Sequence, residues 1–169
     1  TGLNIGIDDP SQMGADLVAG AVAALDMREP PVIVIDMGTA TTISVIGPNA
    51  RLLGGAIMPG AAVSLEALSG TASLLPRVSL EAPRRCIGSG TIECMKSGAV
   101  FGAASAIDGM IDRMEAELGG KAAVVATGGL AQHIIPYCRH EIEIDDNMLL
   151  RGLSLIWQRN RRERRREAK

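Results

Sequence analysis

The sequence predicts an α/β fold: a mixed five-stranded sheet with flanking helices. Three observations predict it. The apolar runs at 32–35 and 121–126 are too short for helices and are bounded by turn residues. The first is followed at once by a reversal and a second strand, so part of the sheet is antiparallel. Segments of helical periodicity lead into the later strands, and such crossovers join parallel neighbours.

The 169 residues, 47% of them apolar, suffice for one domain with a proper core. The organising stretch is Val32-Ile33-Val34-Ile35-Asp36-Met37-Gly38-Thr39-Ala40-Thr41-Thr42, continuing to Ile46. Val32 to Ile35 is β-branched throughout, as a buried strand requires. Gly38 relieves the backbone at the reversal. On the return strand, Thr41, Ile43 and Val45 share one face and Thr42, Ser44 and Ile46 the other. Asp36 stands at the mouth of the hairpin, beside backbone amides and the hydroxyls of Thr39, Thr41 and Thr42. Such a corner can hold a cation or a phosphate ester; it can also be an aspartate tying its own turn.

Residues 1–11 are polar and turn-rich. A helix over about 12–27 carries Met13, Leu17, Ala21, Ala24 and Leu25 on one face and stops at Pro30-Pro31. Asp16 falls in its first turn, where the helix dipole favours a carboxylate. A third strand spans 51–59; its Gly54-Gly55 pair implies a bulge or a ligand at close quarters. A short helix covers 61–68, and 69–90 is irregular. A long helix follows over 91–118, with Ile92, Met95, Ala99, Ala103, Ala106 and Met110 as its apolar stripe. Gly98, Gly102, Ser105 and Gly109 form a second, very small stripe. Glycine costs about 1 kcal/mol against alanine in a helix, so this stripe implies another helix close by, from this chain or a second subunit. Thr91 reads locally as the N-cap. Residues 121–126 are apolar on both faces and form a central strand. The Thr127-Gly128-Gly129 loop is either a place for a nucleotide or a plain turn. A helix ending before Pro136, a strand at 141–144 and a last helix capped by Asp145 or Asp146 complete the chain. The last helix buries Leu149, Leu150, Leu153 and Ile156.

Composition excludes some classes. Phe101, Tyr137 and Trp157 are the only aromatics, which argues against single-strand stacking platforms. Residues 151–169 hold eight Lys/Arg and two Glu, about +6, leaving about −8 on residues 1–150 out of the net −2. That tail interleaves Arg with Glu and reads as a solvated helix end, so nucleic acid is not the expected partner. Cys86, Cys94 and Cys138 form no metal-spaced pair and read as reduced cytosolic thiols. No apolar run reaches membrane length and no signal peptide is visible, so the expected location is cytoplasmic. The chain starts at Thr1, read as an upstream part removed or left out.

The element order matches the ribonuclease-H-like lobe of the actin, Hsp70 and sugar-kinase superfamily. Within it, the sequence resembles the type III pantothenate kinases. The resemblance rests on Gly14-Ala15-Asp16, Asp36-Met37-Gly38-Thr39-Ala40-Thr41-Thr42, Gly54-Gly55-Ala56-Ile57-Met58-Pro59-Gly60, Leu74-Leu75-Pro76-Arg77, Thr91 with Glu93, and Ala126-Thr127-Gly128-Gly129-Leu130-Ala131, all in order along the chain. It implies ATP-dependent phosphorylation of pantothenate, the first step of coenzyme A synthesis, by a homodimer of two-lobed subunits. Residues 1–169 would be the single carboxy-terminal lobe, inactive in isolation, with the amino-terminal lobe absent. By the same resemblance Asp16 is the general base, and Asp36 binds a monovalent cation, potassium or ammonium. Thr39, Gly38 and Gly128 meet ATP, which comes with magnesium. Gly14, Ala15, Leu17 and Thr91 line the pantothenate pocket, Thr91 from the partner subunit. Two positions depart from the family pattern: Leu17 replaces an Arg that would hold the substrate carboxylate, and Ser44 replaces an Asp. They open a second reading, a non-catalytic or substrate-diverged paralogue that acts as a regulatory or binding protein.

Overall fold

The computed structural model of the chain describes residues 3–7 and 13–167. Its elements are β1 (Asn4–Ile5), α1 (Ala15–Met27), β2 (Val32–Met37), β3 (Ala40–Gly47), β4 (Arg51–Pro59), α2 (Ala61–Thr71), α3 (Thr91–Leu118), β5 (Ala123–Thr127), α4 (Ala131–Ile134), β6 (Glu143–Ile144) and α5 (Met148–Glu167). The sheet runs β1-β4-β3-β2-β5-β6. Strands β2, β3 and β4 form an antiparallel meander, whereas β5 joins β2, β6 joins β5 and β1 joins β4 in parallel.

The expected mixed sheet is therefore present, with six strands rather than five. The additional strand, β1, lies in the segment read as turn. Two residues paired with Arg51 and Leu52 carry no period to read. The expected helix start at residue 12 lies outside the described residues; α1 is helical from Ala15. Helix α2 runs three residues past the expected end, to Thr71. Strand β5 is interior but not central, between β2 and β6.

Alternation along β2 sends side chains into two separate cores. Ile33, Ile35 and Met37 pack with Val100, Ala104, Ile107 and Ile111 of α3 and with Ala131 and Ile134 of α4. Val32 and Val34 pack on the other face with Ala21, Ala23 and Ala24 of α1, Val125 of β5 and Met148 of α5. Side chains in a strand alternate faces, so Asp36, two residues after Val34, belongs to the α1 face. The paired glycines of β4 sit at a bulge: Val45 pairs with Gly54 and Ile46 with Leu52, skipping Leu53. Gly54 has φ +135, and a side chain on Gly55 would collide with the Ile43 carbonyl. Of the two expectations for this pair, the bulge accounts for both residues.

Two helix faces differ from expectation. The buried stripe of α3 is Ser97, Val100, Ala104, Ile107, Asp108, Ile111 and Glu115, rotated from the one expected, of which only Met95 is buried. Polar residues stand in the true stripe because their groups are satisfied. Asp108 accepts from the Arg139 amide at 2.9 and 3.0 Å and from the His140 amide at 3.2 Å. Glu115 accepts from the Ala122 amide and Lys121. Burial would push the Glu115 carboxyl up, but Lys121 and the Ala122 amide outweigh it and hold the group below its ordinary value.

On α5, Leu150 and Leu153 are 68% and 54% exposed, not buried; Met148 and Gly152 are buried. The helix is turned this way because α1 and α5 cross at Gly152, where a Cβ would collide with the Ala19 carbonyl. Asp145, not Asp146, accepts from the Asn147 amide at 2.9 Å just before α5.

Replacing Gly152 with Val should therefore separate α5 from α1. Overpacking of this kind costs about 1–3 kcal/mol. A Tm lower by about 2–4 °C per kcal/mol is expected in thermal melts, and an unchanged Tm would contradict the crossing.

Candidate active site

The carboxyl ends of β2 and β5 lie side by side, with Asp36 paired to Thr127 on one side and to Thr42 on the other. In open α/β sheets this edge is where ligands bind. Asp36 is half-buried there. Among the described residues its side chain makes no hydrogen bond and no ion pair, so an aspartate tying its own turn is not what the structure shows. Burial pushes its carboxyl above the ordinary value, and the Asp16 carboxylate pushes the same way.

Asp16 lies near enough to repel the Asp36 carboxylate because α1 starts at the same end of the sheet. Gly14 is the extended N-cap, Ala15 opens the helix, and Asp16 is exposed in the first turn. Its Oδ1 accepts from the Leu17 amide at 2.8 Å. Leu17 is half-buried, one residue along the same turn. The structure thus brings together Gly14, Ala15, Asp16, Leu17 and Asp36.

The hydroxyls expected around Asp36 are divided by the sheet. Thr42 is its cross-strand partner and shares its face, whereas Thr41 pairs with Met37 and is buried on the α3 side. Thr39 is exposed at the tip of the turn. Gly38 is not in the left-handed region, so it is not what the reversal needs. Gly60, extended at φ −65 and ψ 149, instead allows the end of β4 to approach that turn closely. Its amide donates to the Thr39 carbonyl at 3.0 Å, and a side chain on it would collide with the carbonyls of Gly38 and Thr39. The Met58-Pro59-Gly60 order was the available signal.

Gly128 does have a left-handed backbone, φ +96, and a Cβ there would come within 2.6 Å of Asp36 Oδ1 and of the Met37 backbone. The loop is held down by the Leu130 amide, which donates to the Met37 carbonyl at 3.1 Å. Gly128 thus packs against Asp36, while Gly129 beside it faces open space.

Thr91 is not gathered into this cluster. It is exposed at the first position of α3, and the N-cap is Gly90 rather than Thr91. It lines a cavity of about 640 Å³ with Ser73, Leu74, Pro76, Gly90 and Glu93, and none of the Asp16–Asp36 group lines it. Ser44 is buried on the Asp36 face, opposite Gly55.

The mixed sheet with flanking helices is a fold that solved structures share. The activator of 2-hydroxyisocaproyl-CoA dehydratase from Clostridium difficile, solved with bound ADPNP, shares the fold at TM-score 0.55 and 16% identity, over 91% of this chain and 69% of that one. A protein assigned to the Baf family of transcriptional activators from Campylobacter jejuni matches at TM-score 0.66 and 25% identity, over 95% of this chain and 70% of that one. The family model for type III pantothenate kinase matches residues 1–113. The type III pantothenate kinases of Moorella thermoacetica and Anaeromyxobacter sp. are 43% and 44% identical over 160 and 161 residues, 95% of this chain in each case. The chain belongs to the type III pantothenate kinase family. It spans 63% of the length of those relatives.

The raised Asp36 makes a signed prediction. A carboxyl raised in the folded state contributes stability that is complete below its ordinary pKa and lost as pH rises through the raised value. Asp36→Asn should therefore melt above the unsubstituted chain at neutral pH, with the gap closing in acid. A variant that melts lower at neutral pH would show that the carboxylate stabilises the turn.

Proposed function

We propose that this chain is the carboxy-terminal lobe of a kinase that transfers the γ-phosphoryl group of ATP to the primary hydroxyl of pantothenate, the opening step of coenzyme A synthesis. The observation that carries the reading is the pairing of Asp16 with the raised Asp36 at the carboxyl end of β2. Asp16, exposed at the helix start, accepts the proton of the acceptor hydroxyl. Because phosphoryl transfer has a loose transition state, its larger contribution is to orient that hydroxyl.

Asp36 fits a cation. It is a half-buried carboxylate beside a second carboxylate, and neither has an ion-pair partner among the described residues. A monovalent cation such as potassium or ammonium held there relieves the repulsion and offsets phosphate charge. Magnesium comes with ATP. Thr39, Gly38 and Gly128 form the ATP side, and Gly14, Ala15 and Leu17 the pantothenate side. A cytoplasmic location, where ATP is supplied, belongs to the same reading. The amino-terminal lobe, outside these 169 residues, completes the nucleotide cleft.

Thr91 enters from a second copy in a homodimer. An added Cβ at Gly98 or Gly102 meets nothing within 4 Å, and both glycines line a cavity of about 330 Å³ with Met58, Pro59, Ala61 and Ser64, so the stripe is not closely packed within the described chain. Val63, Leu68, Leu74, Ile87 and Ile92, on α2, the following loop and the start of α3, are all at least 40% exposed. A second copy supports both features at once. Gly102→Leu should shift the mass seen by light scattering from dimer to monomer without lowering Tm; a chain monomeric from the outset would remove the dimer.

The second reading, a regulatory or binding paralogue, draws on Leu17, Ser44 and the likeness to the Baf-family protein. Activity separates the two. The intact protein carrying this lobe should phosphorylate pantothenate with ATP, and Asp16→Asn should lower kcat by about 10²–10⁴-fold. The 169-residue chain alone should not, since half a cleft leaves the phosphates in water. An intact protein indifferent to pantothenate would favour the second reading.

Leu17 sets the affinity in this account. An Arg in its place supplies a bidentate partner for the substrate carboxylate, a charge-assisted interaction worth about 1.5–3 kcal/mol. Leu17→Arg in the intact enzyme should lower KM for pantothenate about tenfold or more, with less change in kcat. Equal KM values would place the substrate carboxylate elsewhere.

A further inference from the structure

The segment that leads into α3 brings two thiols over one face of that helix. Cys86 and Cys94 are both exposed. Ser97 Oγ donates to the Cys86 carbonyl and lies 3.8 Å from Cys86 Sγ. Two residues on, the chain presses against the helix: a Cβ on Gly88 would sit 2.6 Å from the Cys94 nitrogen and 2.8 Å from the Glu93 carbonyl carbon. Cys94 Sγ donates to the Gly88 carbonyl at 3.4 Å. Residues 86 and 88 thus lie along the helix beside residues 97 and 94. Residues three apart in a helix have Cβ atoms about 5–6 Å apart on one face. One thiol rests against Ser97, and the other stands one turn before it.

A disulfide needs Cβ atoms about 3.5–4.5 Å apart. Residues 87–93 connect the two cysteines; Gly88 is held against the helix, whereas a Cβ on Gly90 would meet nothing within 4 Å, which leaves room for the short approach a disulfide needs. From this geometry we infer that Cys86 and Cys94 are an oxidisable pair that closes an intrachain disulfide with a low-molecular-weight disulfide such as glutathione disulfide. One protein thiolate attacks the glutathione disulfide, whose S–S bond breaks to release one glutathione. The mixed disulfide so formed is attacked at its protein sulfur by the second thiolate, which expels the second glutathione. The protein loses two electrons and two protons, and one glutathione disulfide becomes two thiols. The pair can rest reduced and close only under oxidising conditions.

Cys138 is an internal control. It is half-buried, its thiol points at the Ala104 carbonyl at 3.8 Å, and burial and Asp108 push it up to about 12. Little of it is thiolate, so it does not compete. The inference does not depend on the role proposed for Thr91, although closure would tie down the segment that carries it.

The test treats the folded 169-residue chain, its fold checked by circular dichroism, with glutathione disulfide and maps its peptides without reduction. The expected product has lost two hydrogen atoms, joins the Cys86 and Cys94 peptides, and leaves Cys138 open to alkylation. Closure should be about tenfold faster than in the same chain unfolded in urea, because positioned thiols react at higher effective concentration. C86S and C94S should each stop at a single glutathione adduct, whereas C138S should close as the unsubstituted chain does. Separate adducts on both cysteines, disulfides between chains, no reaction, or equal rates in urea would each overturn the pair.

Discussion

Asp36 is the only charged side chain in β2, and both its burial and the Asp16 carboxylate work against its ionisation. Its position follows from the pleat: Val32 and Val34 fix the α1 face of the strand, and the next residue on that face is Asp36. The helix on that face starts at the same end of the sheet and presents Asp16 in its first turn. Two carboxylates are thus held together by elements that are themselves fixed by the core. A fold stores such repulsion where a cation or an electrophile offsets it, which is why perturbed groups of this kind concentrate at functional sites.

The surrounding glycines make that geometry possible. Gly128 lets the β5–α4 loop lie against Asp36, and Gly60 lets the end of β4 lie against the Gly38–Thr39 turn. Gly152 allows α5 to close on α1, which keeps α1 over the sheet. A side chain at any of these would push apart backbones that have no room to yield. Strand ends, turn and helix start are therefore packed as one unit.

Much of this was legible in the sequence. The third strand over 51–59 and the long helix over 91–118 have the bounds expected of them, and the strand expected from the 32–35 run is present but continues through Asp36 to Met37. The first-turn position of Asp16 was legible too. Its proximity to Asp36 was not, because it depends on which face of β2 receives α1. The buried face of α3 departs from its apolar stripe because Asp108 and Glu115 are buried against backbone amides, and acids carry no hydrophobic period. The buried face of α5 does not follow its leucines because the contact with α1 is made at Gly152, which has no side chain and so adds nothing to an apolar pattern. The two-residue strand β1 lies below the length at which a pattern exists, whereas β6 falls within the strand expected at 141–144. Gly60 was visible as part of a motif, but its role needed the carbonyls it touches.

The central claim is that Asp16 and Asp36 share one electrostatic environment. Carboxyl carbon NMR titration of the folded chain tests it directly. Asp36 should titrate above the ordinary aspartate value, and Asp16→Asn should bring it down. An Asp36 that titrates at the ordinary value, or one indifferent to Asp16→Asn, would contradict the account.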